Sequence, residues 1–542
     1  MSNFIHTFLV DSYATKKQVP LYKIFLSLFS IVLIRIFLEN LLGHADNDNF
    51  YSLQAIFLHG TLYFLSIFLS LTLLVYLLVQ NSIREILRIV NNIFLLILLV
   101  PIIDLTFNHS KELAYVTIPL DNIISTFFAI LNPLGDDIIS IGQRVVSLII
   151  LILLSLFIYN KTKSQLKSFA MLILGYCILF FYAIIPSLIV AIGKYTSSIT
   201  NNDPTNAYFS LLNQSWLSNY ADKTSILDKV FFQINLTHDI NMAHIFFIFV
   251  IAQSLLLLSI IKPNLIYQLK YNLRPTRIIY WSIIAIIGII LNQKFSGTIN
   301  LYNPINILSL IVYFITLTLN IWLAVCINDN EDIEIDKISN KTRPLATGKI
   351  SVREWNILQI TLIVFFLFGI ASMNRSVAIL FLVAQAAYYL YSVQPLRLKR
   401  HFISSSIVSG FASVVIVMSG FFLVSTNQNI HAFSLKTALI IGIIYALLSN
   451  IKDIKDFHGD SQENIKTIPV LFGPRKARYV IATLYSSIIL VLPTILHIQS
   501  ALIVSIPIAI FIYYLFMQKV FMERYILFTF FLYMLIIYLW LN

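Results

Sequence analysis

Charge is what this sequence has least of. Only 11% of its 542 residues are Asp, Glu, Lys or Arg, less than half of the roughly 25% usual in a soluble domain. A chain that is 58% hydrophobic cannot cover itself with polar surface in water, so a soluble globular protein is excluded. Cysteine is nearly absent as well. Cys177 and Cys326 both sit in apolar runs, which excludes a disulfide-stapled fold. The abundance of apolar residues also excludes a disordered chain. The formal net charge of +12 does not point to nucleic acid. The basic residues fall in short loops between apolar spans, the pattern of cytoplasm-facing loops in an integral membrane protein.

What the sequence has in quantity is apolar runs, and those of about 17–25 residues read as membrane-spanning helices. The first half offers six, near 21–42, 57–80, 89–107, 145–159, 168–193 and 243–261. A weaker run over 117–134 holds Pro119 and Pro133 and is expected to be re-entrant or interfacial. The second half offers nine, near 278–293, 304–327, 355–373, 376–393, 404–425, 436–450, 477–497, 500–518 and 524–541. An all-α polytopic membrane protein of about fifteen spans is therefore expected. Residues 1–20 are polar, with Lys16-Lys17 ahead of the first run, and no signal peptide is expected.

Loop charge orients the spans. In the second half, alternate connections carry twenty basic residues, from Lys262 to Arg524, and the intervening ones carry Lys294, Arg375 and Lys436. The rich side is expected to face the cytoplasm. The N-terminus is then expected inside as well, and the cell membrane is the expected location. The basic, proline-punctuated stretch from Lys262 to Thr276 is the expected boundary between an accessory multi-pass domain, 1–262, and a second domain, 263–542.

The informative repeat lies in the second domain. Asp329, Asp332 and Asp336 are spaced +3 and +4 directly after a span, and Asp453, Asp456 and Asp460 repeat that spacing after another. On a helix this puts three carboxylates within roughly 60° of one face. The windows 328–340 and 451–463 hold five and four of the chain's 25 acidic residues, far more than even spreading allows. Three like charges on one face repel, and more strongly beside a low-dielectric core. A cation relieves this, and oxygen ligands at a membrane edge suit Mg2+, which keeps positions for water and substrate phosphates. Glu331 and Glu334 point off the shared face and read as solvated. Cations surround the acids: Lys341 and Arg343 after the first cluster, Arg397, Lys399 and Arg400 at another inside end, Lys452 and Lys466 flanking the second. Acids holding metal beside Arg and Lys form a site for a diphosphate.

These segments resemble a known family. Asn328-Asp329-x-x-Asp332-x-x-x-Asp336 is similar to the first aspartate motif of the UbiA-like intramembrane prenyltransferases. Lys452-Asp453-Ile454-Lys455-Asp456-Phe457-His458-Gly459-Asp460 and Ile465-Lys466-Thr467-Ile468-Pro469 resemble the second. Tyr391-Ser392 through Arg397-Leu398-Lys399-Arg400 is similar to the family's tyrosine–basic loop, and Arg274-Pro275 to its opening Arg-Pro. The one departure is Gln394-Pro395, where many members carry two prolines. The resemblance covers about 263–542.

It implies a nine-helix bundle around a central cavity, preceded here by about six further spans. It also implies a prenyltransferase whose two Mg2+ ions hold the diphosphate of an isoprenoid donor. On this reading Asp329, Asp332, Asp453 and Asp456 are catalytic, and Asp329, Asp332, Asp336, Asp453, Asp456 and Asp460 bind metal. Asn328, Arg343, Tyr391, Arg397, Lys399, Arg400, Lys452 and Lys466 contact substrate. The acceptor is aromatic or a lipid precursor, which places the reaction in lipoquinone or lipid biosynthesis. The rival functions are a cation-coupled transporter using the paired clusters and a non-catalytic membrane scaffold. Ion sites of transporters lie near the midplane on broken helices, whereas these acids fall at span ends beside Arg and Lys.

The first half resembles no family. Arg35 and Glu39 lie i, i+4 within the first span, either as a self-neutralising pair or as part of a polar pathway. The segment 194–242, with Trp216 and amphipathic from about Tyr208, is expected to rest on the membrane surface. His59 and His244 lack partners at ligand spacing.

Overall fold

The computed structural model of the chain describes residues 19–42, 53–107, 117–131, 139–196, 203–219, 228–296, 300–339, 342–462, 465–495, 498–518, 521 and 523–541. Their regular structure is helical, apart from one isolated parallel bridge between His401 and Lys466. Twelve helices among them are long and apolar enough to cross a membrane, and the protein is an integral, multi-pass membrane protein. The run 436–450 falls among the shorter apolar helices, as Leu435–Ile451. The run 168–193 divides at Ile184 into two helices, the second opening Ile185-Pro186. Pro186 withholds a backbone donor there. The weak run 117–134 yields one short helix, Ile123–Leu131.

Two compact units emerge: Met1–Ile266 with Ile299–Ile315 and Ala371–Asn374, and Tyr267–Thr298 with Thr316–Ile370 and Arg375–Asn542. The helices of the first half are α1 (Leu21–Leu42), α2 (Leu53–Val79), α3 (Ile83–Phe94), α4 (Val100–Thr106), α5 (Ile123–Leu131), α6 (Ile141–Thr162), α7 (Gln165–Ala183), α8 (Ile185–Thr196), α9 (Pro204–Asn213) and α10 (Asp228–Ile261). A tight 3-10 turn, Leu95–Leu99, joins α3 to α4.

Inside the first unit, α2 turns a polar stripe inward: His59, Tyr63, Ser66 and Ser70, at helical spacing. His59 Nδ1 lies 2.9 Å from Asp239 Oδ1 on α10. Gln253 of α10 donates to Ser70 (2.8 Å) and to the Tyr182 hydroxyl (3.1 Å). Polar groups removed from water must find such partners, because the hydrocarbon offers none. Arg35 and Glu39 pair with each other at 2.7 Å. His244 meets the carbonyl of Ser372 at 2.9 Å. The surface-helix expectation for 194–242 is corrected in part. Tyr208 and Trp216 are buried, because their polar ends are satisfied within the unit: Tyr208 by His238 and Asn241, Trp216 by Ser309.

From there the helices are α11 (Pro263–Asn272), α12 (Pro275–Ser296), α13 (Pro304–Glu331), α14 (Ile333–Ser339), α15 (Val352–Ala371), α16 (Arg375–Ser392), α17 (Phe402–Val424), α18 (Leu435–Leu448), α19 (Asp453–Gln462), α20 (Ile468–Phe472), α21 (Pro474–Ile495), α22 (Leu502–Met517) and α23 (Glu523–Leu541). Several open on proline, which suits the first helical position because its missing donor is not needed there. In the second unit, α12 and α17 cross at backbone contact. A Cβ on Gly288 would run into the carbonyl of Val417, and one on Gly420 into that of Ala285. Small residues let membrane helices approach this closely, and dispersion contacts then hold them. Elsewhere Tyr485 and Tyr533 donate to the carbonyls of Leu448 and Ile489, each at 2.7 Å, locking α21 against α18 and α23.

Gly288→Ala or Gly420→Ala should therefore part α12 from α17 and cost about 1–3 kcal/mol. Thermal unfolding of the detergent-solubilised chain measures this, and a midpoint equal to wild type contradicts the close crossing.

Candidate active site

The first acidic segment stays helical past the end of α13. The amide of Asp332 bonds the carbonyl of Asn328 at 3.0 Å, and that of Asp336 bonds Asp332 at 2.8 Å. The +3, +4 spacing therefore keeps its meaning as one face. The second segment forms α19, which carries Asp453, Asp456 and Asp460, and α19 packs directly against α14. The parallel bridge at His401 and Lys466 ties the basic loop after α16 to the strand-like stretch after α19. Lys466 donates to the Arg400 carbonyl at 2.8 Å, and Phe402 to that of Lys466 at 3.1 Å. Three segments far apart in sequence are thereby gathered at one end of the second unit.

Their charges interlock. Asp329 is 1% exposed and accepts from Asn272 (2.5 Å), from Arg274 and from Arg343 (3.0 Å). Trp322 steadies Asn272 through a 3.1 Å bond. Arg343 also reaches Asp336, so one guanidinium bridges the first and last acids of the segment. Asp332 takes Arg397 on one oxygen (2.7 Å), and on the other Lys399 and Asn328 (2.9 Å). Lys399 and Ser392 fix the Asn328 amide oxygen at 3.0 and 3.1 Å. Arg274 and Arg397 both adopt left-handed backbone, at φ 45° and 39°. That conformation costs on the order of 1–3 kcal/mol each and places each guanidinium on its carboxylate. Burial pushes the Arg274 guanidinium down to about 10, so it still carries its charge at neutral pH.

A cavity of about 410 Å³ opens beside this lattice. Asp332 and Asp336 of the first segment and Asp453 and Asp460 of the second line it together. Asn328, Arg343, Tyr391 and Lys399 join them. Asp329 and Arg397 stand behind the wall, and Arg400 and Lys466 are exposed. The side chains of Lys452 and Asp456, and all of Lys341, lie outside the described residues. Counting Glu523, the described wall carries five carboxylates and five cations. Deeper in, it becomes aromatic: Tyr280 rests on Tyr445 (6.2 Å between centroids), Trp281 on Tyr388 (5.7 Å) and Tyr485 on Phe530 (6.2 Å).

Among the described residues, no three His, Cys, Asp or Glu side chains already converge on one point as a ligand cluster. The acids of the first segment are turned to arginine and lysine. The donor chemistry nevertheless fits Mg2+, since the available ligands are hard carboxylate and amide oxygens beside space for phosphate. Sequence reading missed Asn272, Trp322 and the pairing of Arg274 with Asp329. Arg274 stood out as a loop cation and in the Arg274-Pro275 pair, but its partner lies 55 positions away, beyond any local pattern. At the start of α23, Arg524 stood out only as a loop cation, and Glu523 gave no signal.

Residues 295–538 match the UbiA prenyltransferase family. The digeranylgeranylglyceryl phosphate synthase of Methanosphaera stadtmanae is 28% identical over 261 residues, covering 46% of this chain and 87% of that one. The homogentisate geranylgeranyltransferase of Triticum aestivum is 30% identical over 176 residues, covering 30% of this chain and 41% of that one. A solved UbiA homologue from Archaeoglobus fulgidus, bound to GPP and Mg2+, is similar at 17% identity and a TM-score of 0.39, over 50% of this chain and 95% of that one. The second half of the chain is a membrane prenyltransferase domain similar to the UbiA family. The family match leaves residues 1–294 outside it.

Asp329→Ala should leave the largely enclosed Arg274 without its counter-charge and Arg343 with Asp336 alone, at a cost of about 3 kcal/mol. The unfolding midpoint reads this directly, and an unchanged midpoint contradicts the role of Asp329 as the anchor of the lattice.

Proposed function

We propose that the chain transfers a prenyl group from an isoprenoid diphosphate, with Mg2+, to a lipid-precursor acceptor within the membrane. The observation that carries this reading is the shared cavity: carboxylates of both acidic segments beside Arg343 and Lys399, giving way to an aromatic interior. A prenyl diphosphate is a multiply charged head on a hydrocarbon tail, and such a cavity matches both ends.

The charge count explains the need for metal. The described wall is close to balanced, five charges of each sign, so an incoming diphosphate adds negative charge that the side chains do not offset. Mg2+ supplies that offset and polarises the leaving oxygens when bound. Asp332, Asp336, Asp453 and Asp460, with Asp329 and Asp456, are its proposed holders, and Asn328 assists. Arg343 and Lys399 take diphosphate oxygens, with Arg397, Arg400, Lys452 and Lys466 as supporting charge. Tyr391 borders the donor. As the bond between the allylic carbon and the diphosphate oxygen breaks, that carbon gains cation character, which aromatic faces stabilise. The enclosed wall of Tyr280, Trp281, Tyr388 and Tyr445 excludes water until the acceptor attacks.

A lipid-precursor acceptor is favoured because the relative named for glyceryl-phosphate chemistry is matched over most of its length. The relative named for homogentisate is matched over less than half. That second match makes an aromatic acceptor the alternative. From loop charge we further propose that the basic loops and the active site face the cytoplasm, in a 263–542 domain that follows an accessory 1–262 domain.

The test uses purified full chain, Mg2+, labelled geranylgeranyl diphosphate and both acceptor types. Transfer to a glycerophosphate lipid is expected, abolished by EDTA and lowered about 100-fold or more in Asp332→Asn and Asp453→Asn. Turnover that persists unchanged in both variants contradicts the assignment. Cation flux in liposomes without any transfer would favour a transporter.

A further inference from the structure

The described wall of the second unit's cavity carries five cations, and three of them are already paired. Arg274 meets Asp329, Arg343 meets Asp329 and Asp336, and Lys399 meets Asp332. The other two, Arg277 and Arg524, line the same cavity, are exposed, and form no ion pair with a described residue. The charge of Arg277 is felt by its neighbour. After burial, that like charge is the strongest influence on the Arg274 guanidinium, and it acts to hold it below its ordinary value.

Their helices bring the two arginines to one place. Arg277 lies in the first turn of α12 and Arg524 in the first turn of α23. Tyr280 of α12 and Phe531 of α23 meet edge to face, with ring centroids 5.7 Å apart. Arg277 stands three residues before Tyr280, and Arg524 seven before Phe531. Both spacings keep an arginine on the same helix face as its ring. The arginines therefore share the faces on which α12 and α23 meet, at the charged end of the cavity. The start of α12 has no acid in its first turn and adds partial positive charge. Glu523 lines the wall beside Arg524, so these three side chains together leave one net positive charge.

What this pair takes rests on the prenyl-transfer reading above. The donor diphosphate belongs with the acidic segments, Arg343 and Lys399. A lipid-precursor acceptor brings a second anionic head, which the aromatic interior cannot take. Arginine matches phosphate oxygens in plane and stays charged at any physiological pH. We propose that Arg277 and Arg524 bind a phosphate monoester on the acceptor, whose hydrocarbon lies along Tyr280, Leu527 and Phe530. The site then selects phosphate-bearing acceptors over neutral alcohols of the same chain.

The purified full chain is titrated by calorimetry with a monoalkylglycerol phosphate and with the monoalkylglycerol of the same chain, without donor or Mg2+. The phosphate-bearing probe should bind about tenfold or more tightly than the alcohol. Arg277→Gln combined with Arg524→Gln should abolish that preference and leave binding of the alcohol unchanged. Because both side chains are exposed and outside any described ion pair, the unfolding midpoint should stay that of wild type. Equal binding of the two probes by wild type, or a preference that survives in the double variant, overturns the proposal. Transfer from geranylgeranyl diphosphate separates this site from the reading it rests on. A raised acceptor KM in the double variant, at unchanged donor KM, supports the site. Transfer with the same acceptor KM in both proteins contradicts the site alone. Phosphate-selective binding without any transfer supports the site and contradicts the prenyl-transfer reading.

Discussion

Asp329 and Asp332 are nearly closed to water, and each is held by two cations from other parts of the chain. An unpaired carboxylate in such a place would cost several kcal/mol. The second unit therefore has to bring Arg274, Arg343, Arg397 and Lys399 to the end of α13. That requirement shapes the loops around it. It accounts for left-handed backbone at two non-glycine residues and for the bridge that ties the basic loop to the stretch after α19. The close crossing of α12 and α17 is a separate device, built from dispersion rather than charge.

The same interlocking has a chemical consequence. Carboxylates neutralised by protein cations do not repel one another while the site waits for substrate. On the proposed function, the reacting molecule brings its own charge to a wall whose described residues are already balanced. A prenyltransferase needs charged and apolar surfaces joined along one cavity, and a membrane boundary supplies that junction. The UbiA-like domain has acidic helices at one end of its cavity and tyrosine, tryptophan and phenylalanine beyond.

Much of this was legible in the sequence. The spacing of Asp329, Asp332 and Asp336 identified a helical face, because helix geometry is local. The repeat of that spacing at Asp453 paired two distant segments, whose acids line one cavity. Long apolar runs marked most spans, although the run 168–193 concealed a division at Ile184, where only Pro186 hinted at the break. Long-range pairing was not legible. Asn272 and Arg274 hold Asp329, yet loop cations look alike until the fold selects among them. The same held for Tyr208 and Trp216. An aromatic with one polar tip suits a membrane surface or a buried hydrogen bond equally well, and only their partners His238 and Ser309 decide.

The central claim is that both acidic segments grip one metal–diphosphate unit. Electron paramagnetic resonance of the Mn2+-substituted full chain, with a non-hydrolysable prenyl thiodiphosphate bound, measures it most directly. The account predicts a bound Mn2+ signal with phosphorus hyperfine coupling that disappears when Asp332 or Asp453 is changed to Asn. A bound signal without phosphorus coupling, or one indifferent to both changes, would contradict it.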